Sequence, residues 1–195
     1  MKLLAALVFA CSLSGSFCFS QADFQNGDIV FIKNKETKGK SLLPNGKSKY
    51  NYVGIIFIEN DVPIVYHSKE PLSKCTFDEF MKLAEGKEYD IKQLAEKDLM
   101  TADAVHTMHN FAMAKVGTSF DNSLKLNNEL MYNAEFIWKI YQAGTGVPLC
   151  IPREIREYKV DNPAAIEFLT EAYGEAIMNE KIVTVGDLYQ SQFLE

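Results

Sequence analysis

Three histidines, two cysteines beyond the N-terminal segment and one asparagine before a helical stretch are the residues here whose types could do chemistry. His67 stands near the end of an otherwise apolar run, Pro63 to Ser68 (PIVYHS), with Tyr66 directed to the opposite strand face. A lone strand histidine is more often structural than functional. His106 and His109 lie three apart on one helix face, a spacing at which two imidazoles can share a metal. Two ligands do not make a site, and no HExxH or CxxC pattern accompanies them, so a polar helix face is the better reading and no metal or cofactor is expected. Cys75 precedes a helix, where the dipole can lower a thiol pKa, but no histidine neighbours it in sequence. No GxSxG, P-loop or GxGxxG motif is present.

Asn133 opens the stretch Met131 to Gln142 (MYNAEFIWKIYQ). Asparagine is among the best N-cap residues, contributing about 1 kcal/mol over alanine. Glu135 then falls in the first turn, where a carboxylate suits the helix dipole. Phe136, Ile137, Ile140 and Tyr141 form one apolar stripe at helical spacing. From pattern alone this is a capped amphipathic core helix.

The elements that must position these residues are punctuated clearly. Asn26-Gly27 reads as a turn and Asp28 to Lys33 as a strand. A polar segment from Asn34 to Asn51 follows, long for a structureless connection, and such loops often border sites. Tyr52 to Ile58 (YVGIIFI) reads as a buried strand that turns at Glu59-Asn60-Asp61 and pairs with Pro63 to Ser68 as a hairpin. Thr76 and Glu79 form a capping box opening a helix to about Ala84, closed by Gly86. Tyr89 to Leu94 reads as a strand, and Thr101 caps a second helix ending at Gly117. The third helix runs from about Ala134 to Ala143, with Gly144 as its terminating glycine and Pro148 beyond. Asn162-Pro163 starts a fourth, ended by Gly174. Strands gathered early among capped helices indicate an α+β fold.

The first twenty residues, MKLLAALVFACSLSGSFCFS, have one lysine, an apolar run and then small residues, the pattern of a secretory signal. The run is too short to span a bilayer, so no transmembrane anchor is expected. Cleavage near Ser20 is preferred over lipid attachment at Cys11, whose preceding Val8-Phe9-Ala10 is a poor lipobox. The product is then one domain, residues 21–195, periplasmic or secreted. It has one lysine fewer than the 20 basic residues of the whole chain against 26 acidic ones. That acidic balance argues against nucleic-acid binding, which needs a basic face. Cys75 and Cys150 remain, and two cysteines are not a disulfide framework; separate thiols are as good a reading as a bridge.

Several segments, in order, resemble the YiiX-like proteins, a circularly permuted branch of the NlpC-type papain-like cysteine hydrolases. Asn26 to Phe31 (NGDIVF) is similar to the family's first GDI-type strand, followed by Tyr52-Val53-Gly54-Ile55 and Val65-Tyr66-His67-Ser68. Gly117 to Asp121 (GTSFD) is similar to a G-x-x-Y-D segment. Tyr132 to Tyr141 (YNAEFIWKIY) is similar to a Tyr-Cys-Ser-Glu-Phe/Leu-Val-Trp-Lys-x-Tyr pattern, and the tail from Tyr158 to Gly174 follows the family too. The resemblance implies a permuted papain-like fold, a small antiparallel sheet or partial barrel packed with helices.

It also implies where a catalytic triad would stand. The nucleophile position falls on Asn133, the histidine position on Tyr52 and the orienting position on His67. An amide is not a nucleophile, and a phenol, with an ordinary pKa near 10, is a poor base at neutral pH. The resemblance therefore implies a pseudoenzyme whose former cleft, lined by Tyr52, His67 and Asn133, binds a peptide, a muropeptide-like fragment or an acyl chain. One alternative is an active hydrolase with a relocated nucleophile, Cys75 or Cys150, which requires a thiol within reach of His67. Another is a structural or partner-binding protein in which the three side chains fill a closed cleft.

Overall fold

The structure is a computed structural model and describes residues 23–35, 48–158 and 163–195. The expected signal segment, Cys11, most of the polar segment after Asn34 and the Asn162 cap lie outside the described residues.

The sheet has five antiparallel strands, β1 (Ile29–Asn34), β2 (Tyr52–Glu59), β3 (Val62–His67), β4 (Ser73–Thr76) and β5 (Ala84–Lys92), in the order β4-β3-β2-β1-β5. β2 and β3 form the expected hairpin, with Gly54 opposite His67 and Glu59 opposite Val62. Asn60 and Asp61 sit at φ 51° and 62°, the left-handed pair that a two-residue turn of this hand requires and that Asn and Asp tolerate.

Continuous apolar runs in β1 and β2 follow from burial of both sheet faces. On one face Ile29, Phe31, Val53, Ile55, Phe57 and Tyr66 join the main core. Helices α2 (Ala102–Lys115) and α3 (Asn133–Thr145) pack together, and α3 lies against β2. On the other face Val30, Ile32, Tyr52, Ile56 and Val65 cluster around Phe80, carried by the short helix α1 (Phe77–Met81). Gly54 leaves room there: a Cβ would fall 2.4 Å from Val65 and 3.3 Å from Phe80. After α3 the chain forms a two-stranded ribbon of β6 (Arg153–Glu154) and β7 (Lys181–Ile182), with α4 (Pro163–Tyr173) between them and α5 (Val185–Tyr189) after. Among the described residues no helix is long and apolar enough to cross a membrane.

Several boundaries differ from expectation. The capping box at Thr76 forms, but α1 ends at Met81, and Gly86 lies inside β5 instead of closing a helix. Pairing with β1 claims those residues: Asn34 meets Ala84 and Ile32 meets Tyr89 across a register shift. β4 has no counterpart in the sequence reading. Gly144 does not terminate α3. Gly146 does, at φ 73°, its N–H reaching Gln142 O at 3.1 Å. Gly144 is a contact residue, where a Cβ would lie 2.2 Å from Met108 and 2.7 Å from the Ala104 carbonyl of α2.

Candidate functional site

Asn133 is the first residue of α3 and not its cap. Tyr132 takes the cap position in extended backbone, and Glu135 reaches back to accept the Tyr132 N–H at 3.2 Å. Freed from capping, Asn133 accepts the Val53 N–H through Oδ1 at 3.2 Å. Val53 lies one residue beyond the last rung of the β2–β3 ladder, so the asparagine supplies an acceptor where β3 has ended. This bond assigns the amide orientation, and Nδ2 is left buried with no hydrogen-bond partner among the described residues.

Tyr52 begins β2 and His67 ends β3, and both are buried. The Tyr52 hydroxyl donates to the Ser68 carbonyl at 2.8 Å and lies 2.9 Å from His67 Nδ1. A carbonyl can only accept, so the single phenolic proton goes to Ser68 and Nδ1–H donates to the phenol. The tautomer is thereby set: Nε2 carries the lone pair. The Tyr52 ring stacks on Phe80 and His67 meets Phe80 edge-on, with ring centroids 5.9 and 5.3 Å apart. Thus two of the three expected positions are joined by a hydrogen bond. The third is tied to the backbone next to Tyr52, and Ser68 Oγ donates to Met131 O at 3.4 Å, linking the end of β3 to the approach to α3.

In sequence no histidine neighbours Cys75. In the structure its Sγ lies 3.5 Å from His67 Nε2. β4 is the reason: its register puts Cys75 opposite Val65 and Ser73 opposite His67, so Cys75 and His67 are diagonal neighbours on one face. The turn signal at Pro71 is the one local clue to β4, because Ser73-Lys74-Cys75-Thr76 lacks a clean polar–apolar alternation. Burial, reinforced by the Lys69 charge, pushes His67 down to about 4. Burial, reinforced by Glu79, pushes the Cys75 thiol up to about 11. At neutral pH the pair is therefore uncharged. Cys150 is also a free thiol, pushed up to about 12 by burial and then by Asp187.

Around the α3 mouth, Asp121 is fully buried and accepts hydrogen bonds from Ser123, Lys125 and Asn128, folding the loop that leads into the helix. Glu135 is fully buried beside Lys139 at 2.8 Å; burial raises it to about 7. The helical histidines part company. His106 bonds Asn110, whereas His109 sits 3.0 Å from Glu59 and 3.1 Å from the Tyr66 hydroxyl, tying α2 to the sheet. Among the described residues no three His, Cys, Asp or Glu side chains are grouped to hold a metal.

A core helix whose mouth is fastened to the second strand of an antiparallel sheet, with an imidazole at the end of the next strand, defines a papain-like hydrolase scaffold with its elements in permuted order. The chain belongs to the permuted papain-like amidase family (YaeF/YiiX, C92), whose model matches residues 23–194. It is 22% identical over 159 residues to the protein YiiX of Escherichia coli strain K12, covering 82% of this chain and 78% of that one. A crystal structure described as that of metalloprotein YiiX from Escherichia coli O157:H7 superposes with a TM-score of 0.77 at 22% identity, over 88% of this chain and 94% of the other.

Proposed function

We propose that this chain is an exported, non-hydrolytic member of the amidase family that holds a ligand at the mouth of α3 where active relatives would cleave one. The observation that carries the reading is Asn133. It stands at the nucleophile position that the family resemblance assigns, its carbonyl committed to Val53 and its amide donors buried without a partner. An amide nitrogen has no accessible anion to attack a carbonyl. Loss of one triad member alone can cost on the order of a millionfold in rate. The same amide is suited to donate to a carbonyl oxygen of a peptide, a muropeptide-like fragment or an acyl chain. Export rests on the pattern of residues 1–20.

Thermal-shift titration with cell-wall stem peptides and with acylglycerols tests the binding. One class is expected to raise the melting temperature saturably. Asn133→Asp, which keeps the acceptor for Val53 and loses the donors, is expected to weaken that shift. A flat response to both classes counts against the reading, as does turnover of an amide substrate. The double substitution Tyr52→His with Asn133→Cys tests the assignment of positions: a folded variant should gain a reactive thiol at residue 133.

A further inference from the structure

Cys75, His67 and Tyr52 form a chain of hydrogen bonds that the lost α3 chemistry does not account for. Its direction is fixed by the acceptor at its end: Tyr52 donates to the Ser68 carbonyl, His67 Nδ1–H to Tyr52, and the Cys75 S–H to His67 Nε2. This places a nucleophile, a base in the tautomer that can take its proton, and a group that orients the base, in hydrogen-bonding sequence. The thiol comes from β4, not from α3. Cys75 is only partly buried, whereas His67 is 3% exposed. The surroundings of the sulfur are apolar: Cys75, Phe77 and Met81 all pack at the rim of the cluster around Phe80, and Phe77 packs at a tilt against Phe24 with centroids 4.5 Å apart.

We infer that Cys75, His67 and Tyr52 form a thiol–imidazole–phenol relay that accepts apolar acyl groups from activated esters onto the Cys75 sulfur. The S–H proton passes to Nε2 as sulfur bonds the carbonyl carbon. The tetrahedral oxyanion collapses with cleavage of the C–O bond, and the leaving alkoxide takes the proton from Nε2. The products are S-acyl Cys75 and an alcohol, with no outside oxidant or reductant. Tyr52 is a positioning residue, holding the imidazole through Nδ1. The charged groups that bear on the pair are Glu79 of α1, which favours the neutral thiol, and Lys69, which follows β3, favours neutral His67 and partly offsets Glu79 at the thiol. The inference does not rest on ligand binding at Asn133, because its nucleophile is the Cys75 thiol of β4 and Asn133 takes no part in the relay.

The test is reaction of the full chain with p-nitrophenyl octanoate, followed by nitrophenolate release, intact mass and peptide mapping. A burst of about one equivalent is expected, with the octanoyl group on Cys75 and not on Cys150. Cys75→Ser should abolish it, and His67→Gln should slow it by about 10²-fold or more, the usual worth of a positioned base. Tyr52→Phe should slow it less and disturb its pH profile. Should His67→Gln fail to fold, the unmodified protein still decides. A thiol relayed through a neutral imidazole reacts at a rate nearly independent of pH from about 5 to about 10, between the His67 and Cys75 values. An unassisted thiol speeds up about tenfold per pH unit across that window. The steep profile, labelling of Cys150 at an equal rate, absence of an adduct, or a folded His67→Gln variant of undiminished rate would each overturn the inference. Loss of ligand binding in the Asn133→Asp variant leaves it standing.

Discussion

Tyr52 carries one hydroxyl proton between two buried partners, and its removal can be argued atom by atom. Tyr52→Phe keeps the ring against Phe80 but strips the donor from Ser68 O and the acceptor from His67 Nδ1–H. Leaving a buried polar group unpaired costs about 1–3 kcal/mol, so the variant is expected to lose that much unfolding free energy in urea, with the slope of the transition unchanged. Asn133→Ala should cost about 1 kcal/mol by leaving the Val53 N–H without its acceptor, whereas Asn133→Asp should recover most of that loss. The contrast separates a tether from a cap. A cap satisfies its own helix, and Asn133 serves β2. Sequence could not make that distinction, because the preference of asparagine for helix mouths is the same whether its oxygen turns back to the helix or across to a strand 80 residues away.

The helices and strands were legible where their signals are local. The Thr76 and Thr101 caps, the Asn60-Asp61 turn and the apolar stripe of α3 each encode themselves within a few residues. What escaped was set by pairing between distant segments. β5 begins at Ala84 because β1 offers a partner there, and β4 exists because β3 does. The missed strand hid the approach of Cys75 to His67, the one part of the site with intact thiol–imidazole geometry. Gly144 illustrates the same limit. Near the end of a helical pattern it reads as a terminator, yet the helix continues to Thr145 and the glycine marks where α2 and α3 nearly touch. Intrinsic propensity favours Gly144→Ala by about 1 kcal/mol. A Cβ 2.7 Å from a backbone carbonyl forces the helices apart, and overpacking of this kind typically costs about 1–3 kcal/mol. Gly144→Ala is therefore expected to destabilise, and a gain in urea midpoint would refute the close-contact assignment.

Across the whole molecule, two buried titrating groups sit on opposite faces of the sheet and oppose each other in pH. His67, held down to about 4 from an ordinary 6.5, favours the fold fully above pH 6.5, and that advantage is lost as pH falls toward 4. Glu135, raised to about 7 from 4.5, does the reverse: its ionised form is penalised in the fold above pH 7, and the penalty disappears as it protonates on acidification. Between pH 7.5 and 5 each contributes about 2 kcal/mol by linkage, with opposite sign. The unmodified protein should therefore show a shallow stability profile over that range. Glu135→Gln keeps an acceptor for the Tyr132 N–H and removes the titration, so its unfolding free energy should fall on acidification by about 2 kcal/mol more than that of the parent. His67→Gln should slope the other way and gain stability from pH 7.5 to 5. The two faces share one cooperative core of strands, so both slopes are readable in a single global unfolding transition by urea titration at each pH. Parallel slopes in the two variants would mean that the opposed pair does not set the acid response of this fold.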